Sequence, residues 1–285
     1  MPAERGSITL LALWAVAIVA GLLTVAALAT RSEIDIAGNA VAASRARHAA
    51  EAATQLGLAR LLRRPEAAYD GTPQPWQDDG AAVTLTIADE AGKIDVNQAP
   101  LALLAGLFAA VGRPAAEAHL LACNILDRRG EGAPDCPEPA GRSYRFAAPE
   151  ELAQLPGFGE ALYRRIADSV TVASGAAAID PAVAPRDVLL ALPGATPDLV
   201  DSYLKSRAAW RDFGPSADML KTLPAGALLW VSPHRDFTIA ALARVGGRAR
   251  YCAELTVRLT GFAKQPYRIL AWRAPPVLDS PSAGR

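Results

Sequence analysis

Residues 7–30, SITLLALWAVAIVAGLLTVAALAT, contain no charged side chain, and the helical pattern runs on through EIDIAGNAVAASRARHAAEAATQLGLARLL without a proline. Such a start commits the chain to one long helix whose first half has no charged face to offer water. At about 1.5 Å per residue the 24 uncharged residues reach roughly 36 Å, enough for a hydrocarbon core of about 30 Å. The run therefore predicts a transmembrane segment over 7–30, after a leader, MPAERG, over 1–6. The Ala27-Leu28-Ala29 triplet offers a competing reading, a signal peptide cut to release a soluble product; the length of the apolar run and the thin basic head, Arg5 alone, oppose it. Arg5 and Arg31 nearly balance as flanking charges, and the amino terminus is placed inside.

Residues 31–64 extend the helix into water. Alanine, leucine, arginine, glutamate and glutamine dominate, with Ile34, Val41, Ala49, Ala52, Leu56, Ala59 and Leu62 at helical spacing. The small residues Ala42, Ala46, Ala49 and Ala53 suit close contact, either with another helix or with the protein's own sheet. Pro65 and the run PEAAYDGTPQPWQDDG end the helix.

Next, AAVTLTIADEAGKIDV alternates Val83, Leu85 and Ile87, turns at Glu90–Gly92 and resumes at Ile94 and Val96, which predicts a hairpin and the first part of an α/β head over 65–97. Short helical segments separated by Gly and Pro fill 98–222. From 223 to 285 the pattern returns to strands in DFTIAALARV, ARYCAELTVRLTG and YRILAWR, with RVGGR as a turn. The expected fold is α+β: an antiparallel sheet into which a large all-helical unit is inserted, since a lone hairpin needs partners. A repeat runs through it, GKIDVNQAPLALLAGL at 92–107 against AAIDPAVAPRDVLLAL at 177–192; each proline opens a helix, and Asn97 and Asp180 are candidate caps.

Two segments, LAQLPGFGEALYRRI and LLALPGATPDLVDSYLKSR, resemble helix-hairpin-helix turns, whose backbone amides can meet a DNA phosphate. Arg164, Arg165, Lys205 and Arg207 are opposed by Asp198 and Asp201, and the net charge is +0, so a structural hairpin is the reading and no nucleic acid is expected. Asp127, Glu131, Asp135 and Glu138 surround the loop DRRGEGAPDCPEP and are candidate calcium ligands, though Arg128 and Arg129 interrupt them and the spacing is not that of an EF-hand. Three cysteines, Cys123, Cys136 and Cys252, are too few for a disulfide framework and lack the close pairing of a zinc site; Cys123 and Cys136 either bridge a loop or remain free with the third. His48, His119 and His234 fall in no catalytic pattern, and there is no P-loop, H-E-x-x-H or Gly-x-Ser-x-Gly, so the expectation is a non-enzyme. Trp14 suits an interface, while Trp210, Trp230 and Trp272 read as packing residues.

The leader ending in Gly6, the apolar helix that follows at once, its extension, the GKIDVNQAP segment and the helical insertion before terminal strands together resemble the protein K family, minor pseudopilins of the type II secretion system. The resemblance covers nearly the whole chain. It implies cleavage after Gly6 by prepilin peptidase and methylation of Ser7, with Leu11 at the fifth mature position where other pseudopilins carry glutamate. It further implies assembly with minor pseudopilins I and J, with H below, at the tip of a pseudopilus that exports folded proteins, and calcium in the head. The location implied is the inner membrane, with a single pass, a cytoplasmic amino terminus and a periplasmic head.

Overall fold

A computed structural model of the protein describes residues 4–78, 80–139, 141, 143–209 and 222–275; within its first helix, described side chains are those of residues 10–24 and 33–63. Helix α1 (Glu4–Arg63) is continuous over 60 residues. No proline interrupts it, Arg60 and Arg63 lie in its last turn where cations complement the carbonyl end, and Pro65 follows.

The membrane expectation is corrected. Among the described residues no helix is long and apolar enough to cross a membrane. The transmembrane assignment of 7–30, the single pass through the inner membrane, and the cytoplasmic and periplasmic placement of the two ends fall together with it.

The second half of α1 lies across a five-stranded antiparallel sheet of order β1-β2-β5-β6-β7. Strands β1 (Gln74–Asp78) and β2 (Ala81–Asp89) form a hairpin; β5 (Asp236–Val245), β6 (Ala249–Phe262) and β7 (Gln265–Arg273) follow as a meander. Strand β2 alternates buried and half-buried residues along its length, as its sequence predicts. Glycines at 246 and 247, both with positive φ, make the tight β5–β6 turn. The core between helix and sheet is built from small residues on one side, Ala46, Ala49, Ala50 and Ala53, and β-branched or aromatic ones on the other, Val83, Ile87, Phe237, Ile239 and Val257. Alanine lets the helix sit close, and Gly57 lets it sit closer, since a Cβ there would stand 2.6 Å from Ile239 Cγ2.

Between β2 and β5 the chain leaves the sheet at Glu90 and returns at Asp236, and the described helices between them form a separate helical unit. Helices α2 (Leu101–Ala110), α3 (Ala115–Arg129), α4 (Gly159–Ile166), α5 (Arg186–Leu190) and α6 (Pro197–Ala209) surround a separate core centred on Leu103, Leu107, Phe108, Ile125 and Val188. The expected hairpin across Glu90–Gly92 is corrected. The strand after that turn, β3 (Ile94–Asp95), pairs in parallel with β4 (Val170–Thr171) in its own two-stranded sheet, and the partner of β2 is instead β1.

The repeat has a physical meaning. In the first copy Asp95 accepts from Asn97 N at 2.8 Å, in the second Asp180 accepts from Ala182 N at 2.9 Å, and Pro100 and Pro185 then cap α2 and α5. Each Ile-Asp also has a parallel partner, Ile94 with Val170 and Ile179 with Leu229. Equivalent positions of the two copies touch, Gly106 of α2 against the carbonyl of Ala191 after α5.

Candidate functional site: the exposed helix and the sheet junction

Leucine, valine, isoleucine and tryptophan side chains between Leu10 and Leu23 are 55–75% exposed, a far larger apolar surface than a soluble monomer ordinarily leaves bare. Leu11 and Trp14 belong to it. Gly6 and Ser7 lie in the helical backbone ahead of it, their side chains outside the described residues, as is Trp210. Ala42, Ala46, Ala49 and Ala53 are buried, the last three in the core shared with the sheet, so that face is already occupied within the chain.

The junction between sheet and helical unit is polar and closed by named bonds. Asp89 accepts from Ala91 N at 2.8 Å and holds His234 Nδ1 at 2.6 Å, just where the chain leaves and returns. The hydrogen bond to Asp89 raises the His234 pKa above its ordinary value, outweighing the burial that lowers it. Asp236 takes Arg258 in two bonds, 2.6 and 3.1 Å, and Arg258 also donates to Ala173 O at 2.9 Å. Burial disfavours charge on Lys93, but Glu90 at 2.7 Å reverses the balance and leaves its pKa raised. Burial pushes the Glu254 carboxyl up, against the pull of Lys93 and Arg273. Asp89, Glu90, Lys93, Glu254 and Arg258 line a cleft of about 1030 Å³ between the outer sheet face and the helical unit. The cleft brings together salt bridges and threonines rather than a nucleophile with an oriented base.

On the helical unit, Cys123 of α3 and Cys136 of the following loop form a disulfide with Cα atoms 5.5 Å apart; Cys252 on β6 is free. The loop is held at its far end too, where Asn97 donates to Phe146 O at 3.0 Å and accepts from Phe146 N at 2.8 Å. The two arginines that break the acidic pattern are structural. Arg129 donates to Ala99 O at 2.8 Å and pairs with Glu131, while Arg128 pairs with Glu151 and lies over Tyr144. Among the described residues the metal-ligating atoms gathered within 4.8 Å are those of His119, Cys123 and Cys136, not of Asp127, Glu131 and Asp135. His119 was absent from the sequence-derived candidates; its signal is the i, i+4 spacing to Cys123.

The Leu-Pro-Gly turns place Gly157 and Gly194 at φ 82 and 85, the left-handed conformation only glycine adopts freely. Two of their basic residues are engaged: Arg207 donates to Pro181 O and Ala184 O at 2.9 and 2.6 Å, and Arg164 lies 3.6 Å from Glu160.

The architecture, a long helix laid on an antiparallel sheet with a helical unit inserted between neighbouring strands, defines the class as an α+β fold with an all-helical insertion. Among solved structures the chain is similar to one in the crystal structure of the GspK-GspI-GspJ complex of the Type 2 Secretion System from enterotoxigenic Escherichia coli. The TM-score is 0.53 at 13% identity, over 87% of this chain and 99% of that one. Coverage that broad cannot be reached without the helical unit, so sheet and insertion are matched together. No family model matches the chain, and no curated protein does.

Proposed function

We propose that the protein is a non-enzymatic minor pseudopilin of the protein K type, acting with minor pseudopilins I and J, and with H below them, at the tip of a type II secretion pseudopilus during export of folded proteins. The observation that carries the reading is the joint likeness of sheet and helical insertion to a chain of a GspK-GspI-GspJ complex. The exposed apolar surface of α1 from Leu10 to Leu23 supports it: such a surface calls for lateral helix partners, and burying it at about 25 cal/mol per Å² favours a bundle of like helices. The helical unit, standing between β2 and β5, supplies bulk on the head that would obstruct a further subunit. Of the loop carboxylates read as candidate calcium ligands, Asp127, Glu131 and Asp135, Glu131 is engaged by Arg129.

Pseudopilin processing belongs to the proposal, with cleavage between Gly6 and Ser7 and methylation of the new amino terminus. Co-expression of the full chain with a prepilin peptidase, followed by intact-mass measurement, tests it. The mass expected is that of a chain beginning at N-methylated Ser7; a chain that keeps residues 1–6 or begins elsewhere would overturn the reading.

A further inference from the structure

We propose that His119, Cys123 and Cys136 form a redox-gated site for a soft divalent cation of the zinc type, closed while the two sulfurs are bonded to each other and opened when a dithiol reduces them. His119 and Cys123 stand one helical turn apart on α3, and the loop brings Cys136 to the same spot, so that one imidazole nitrogen and two sulfurs lie within 4.8 Å of one another. His119 Nε2 lies 3.2 Å from Asp135 O, the carbonyl just before Cys136, a contact that joins the ring to the loop carrying that cysteine. One histidine and two cysteines are a recurrent zinc donor set, with metal–sulfur and metal–nitrogen distances of about 2.3 and 2.0 Å that place ligand atoms about 3.5 Å apart. Reaching that geometry requires the two sulfurs to separate, which breaking the bond between them allows.

The chemistry balances. A dithiol supplies two electrons and two protons; the Cys123–Cys136 bond breaks, each sulfur takes a proton, and the dithiol closes to its own disulfide. Binding of the cation then releases both protons, because thiolate is the ligating form. Two thiolates, a neutral imidazole and a divalent ion sum to zero charge, which suits the surroundings of Cys123, only 3% exposed. The loop would not drift away on reduction. Glu131 N donates to Leu126 O and Tyr144 N to Arg128 O, both at 2.9 Å, and the paired bonds of Asn97 with Phe146 hold its far end. Cys136 thus stays near its partners by short-range tethering, and the cation replaces the lost covalent link.

The test uses the full chain carrying Cys252→Ser, so that the free thiol does not compete, with cobalt(II) as the spectroscopic probe and zinc as the competitor. Reduced by a phosphine, the protein is expected to bind one cobalt with thiolate-to-metal absorption in the near ultraviolet and the intense visible bands of a tetrahedral ion, all displaced by zinc; the disulfide form is expected to show neither. His119→Gln is expected to weaken zinc binding at least tenfold, and Cys136→Ser to abolish the thiolate bands, while circular dichroism reports that each variant keeps its helices. Equal binding by oxidised and reduced protein, unchanged affinity in His119→Gln, or loss of helix on reduction that zinc does not reverse would each overturn the proposal.

Discussion

At the scale of single residues, two positions carry consequences out of proportion to their size. Gly106 sits in the middle of α2, where alanine would favour the helix by about 1 kcal/mol. A Cβ there would stand 1.9 Å from the carbonyl oxygen of Ala191, a backbone atom that cannot rotate away, so the clash decides the sign. Gly106→Ala is expected to destabilise the protein by about 1–3 kcal/mol, read as a lower denaturant midpoint with unchanged slope. His234 is the second. Its folded pKa is raised above 6.5, chiefly by the Asp89 bond, so its stabilisation is complete below the unfolded value and is lost as pH rises through the folded one. Unfolding free energy should therefore fall as pH rises above about 6.5, the ordinary histidine value. His234→Asn, which tolerates the left-handed backbone at φ 48 but does not titrate, should flatten that dependence in parallel denaturation series. The role of Gly106 was not legible in the sequence, because nothing local announces that equivalent positions of a repeat will touch. The Asp95 and Asp180 turns were half legible: the repeat pointed to Asn97 and Asp180 as caps, yet Asn97 spends its side chain on Phe146.

Elements were read well where one face is buried and poorly where pairing is distant. Strand β2 and the three terminal strands alternate or cluster apolar residues as a sheet against a helix requires, and all of them pair. Strand β1 escaped because QPWQD looks like loop. It lies at the sheet edge, where Pro75 costs no central ladder bond. The two-residue β3 and β4 pair across a long separation and carry no periodic signal. Helix α1 shows the same contrast along its length. Its alanine face is committed to the sheet, so Ala53→Leu, at a position 0% exposed, is expected to cost about 1–3 kcal/mol by thermal or chemical denaturation. Leu13→Asp, on the bare half of the helix at 75% exposed, is expected to change head stability by no more than about 0.5 kcal/mol while weakening association with partner helices in a pull-down. Equal effects of the two substitutions on stability would contradict this division of the helix. The uncharged run that most constrains the sequence proved a guide to the helix and not to a membrane span.

At the scale of the whole molecule, the described residues build two cores, one between α1 and the sheet and one inside the helical unit. They are joined by a polar seam in which the Asp89–His234 and Asp236–Arg258 pairs stand at the points of exit and return. An insertion between adjacent strands leaves the sheet intact, since β2 and β5 still pair along their length. That is how the chain gains a second unit without losing its helix-on-sheet frame. The central claim, that this head joins other minor pseudopilins, is tested most directly by native mass spectrometry of the full chain co-expressed with pseudopilins I and J of one secretion system. The account predicts a complex containing all three chains, lost when Leu13 is changed to aspartate. Recovery of this chain alone, under conditions where I and J still bind each other, would contradict it.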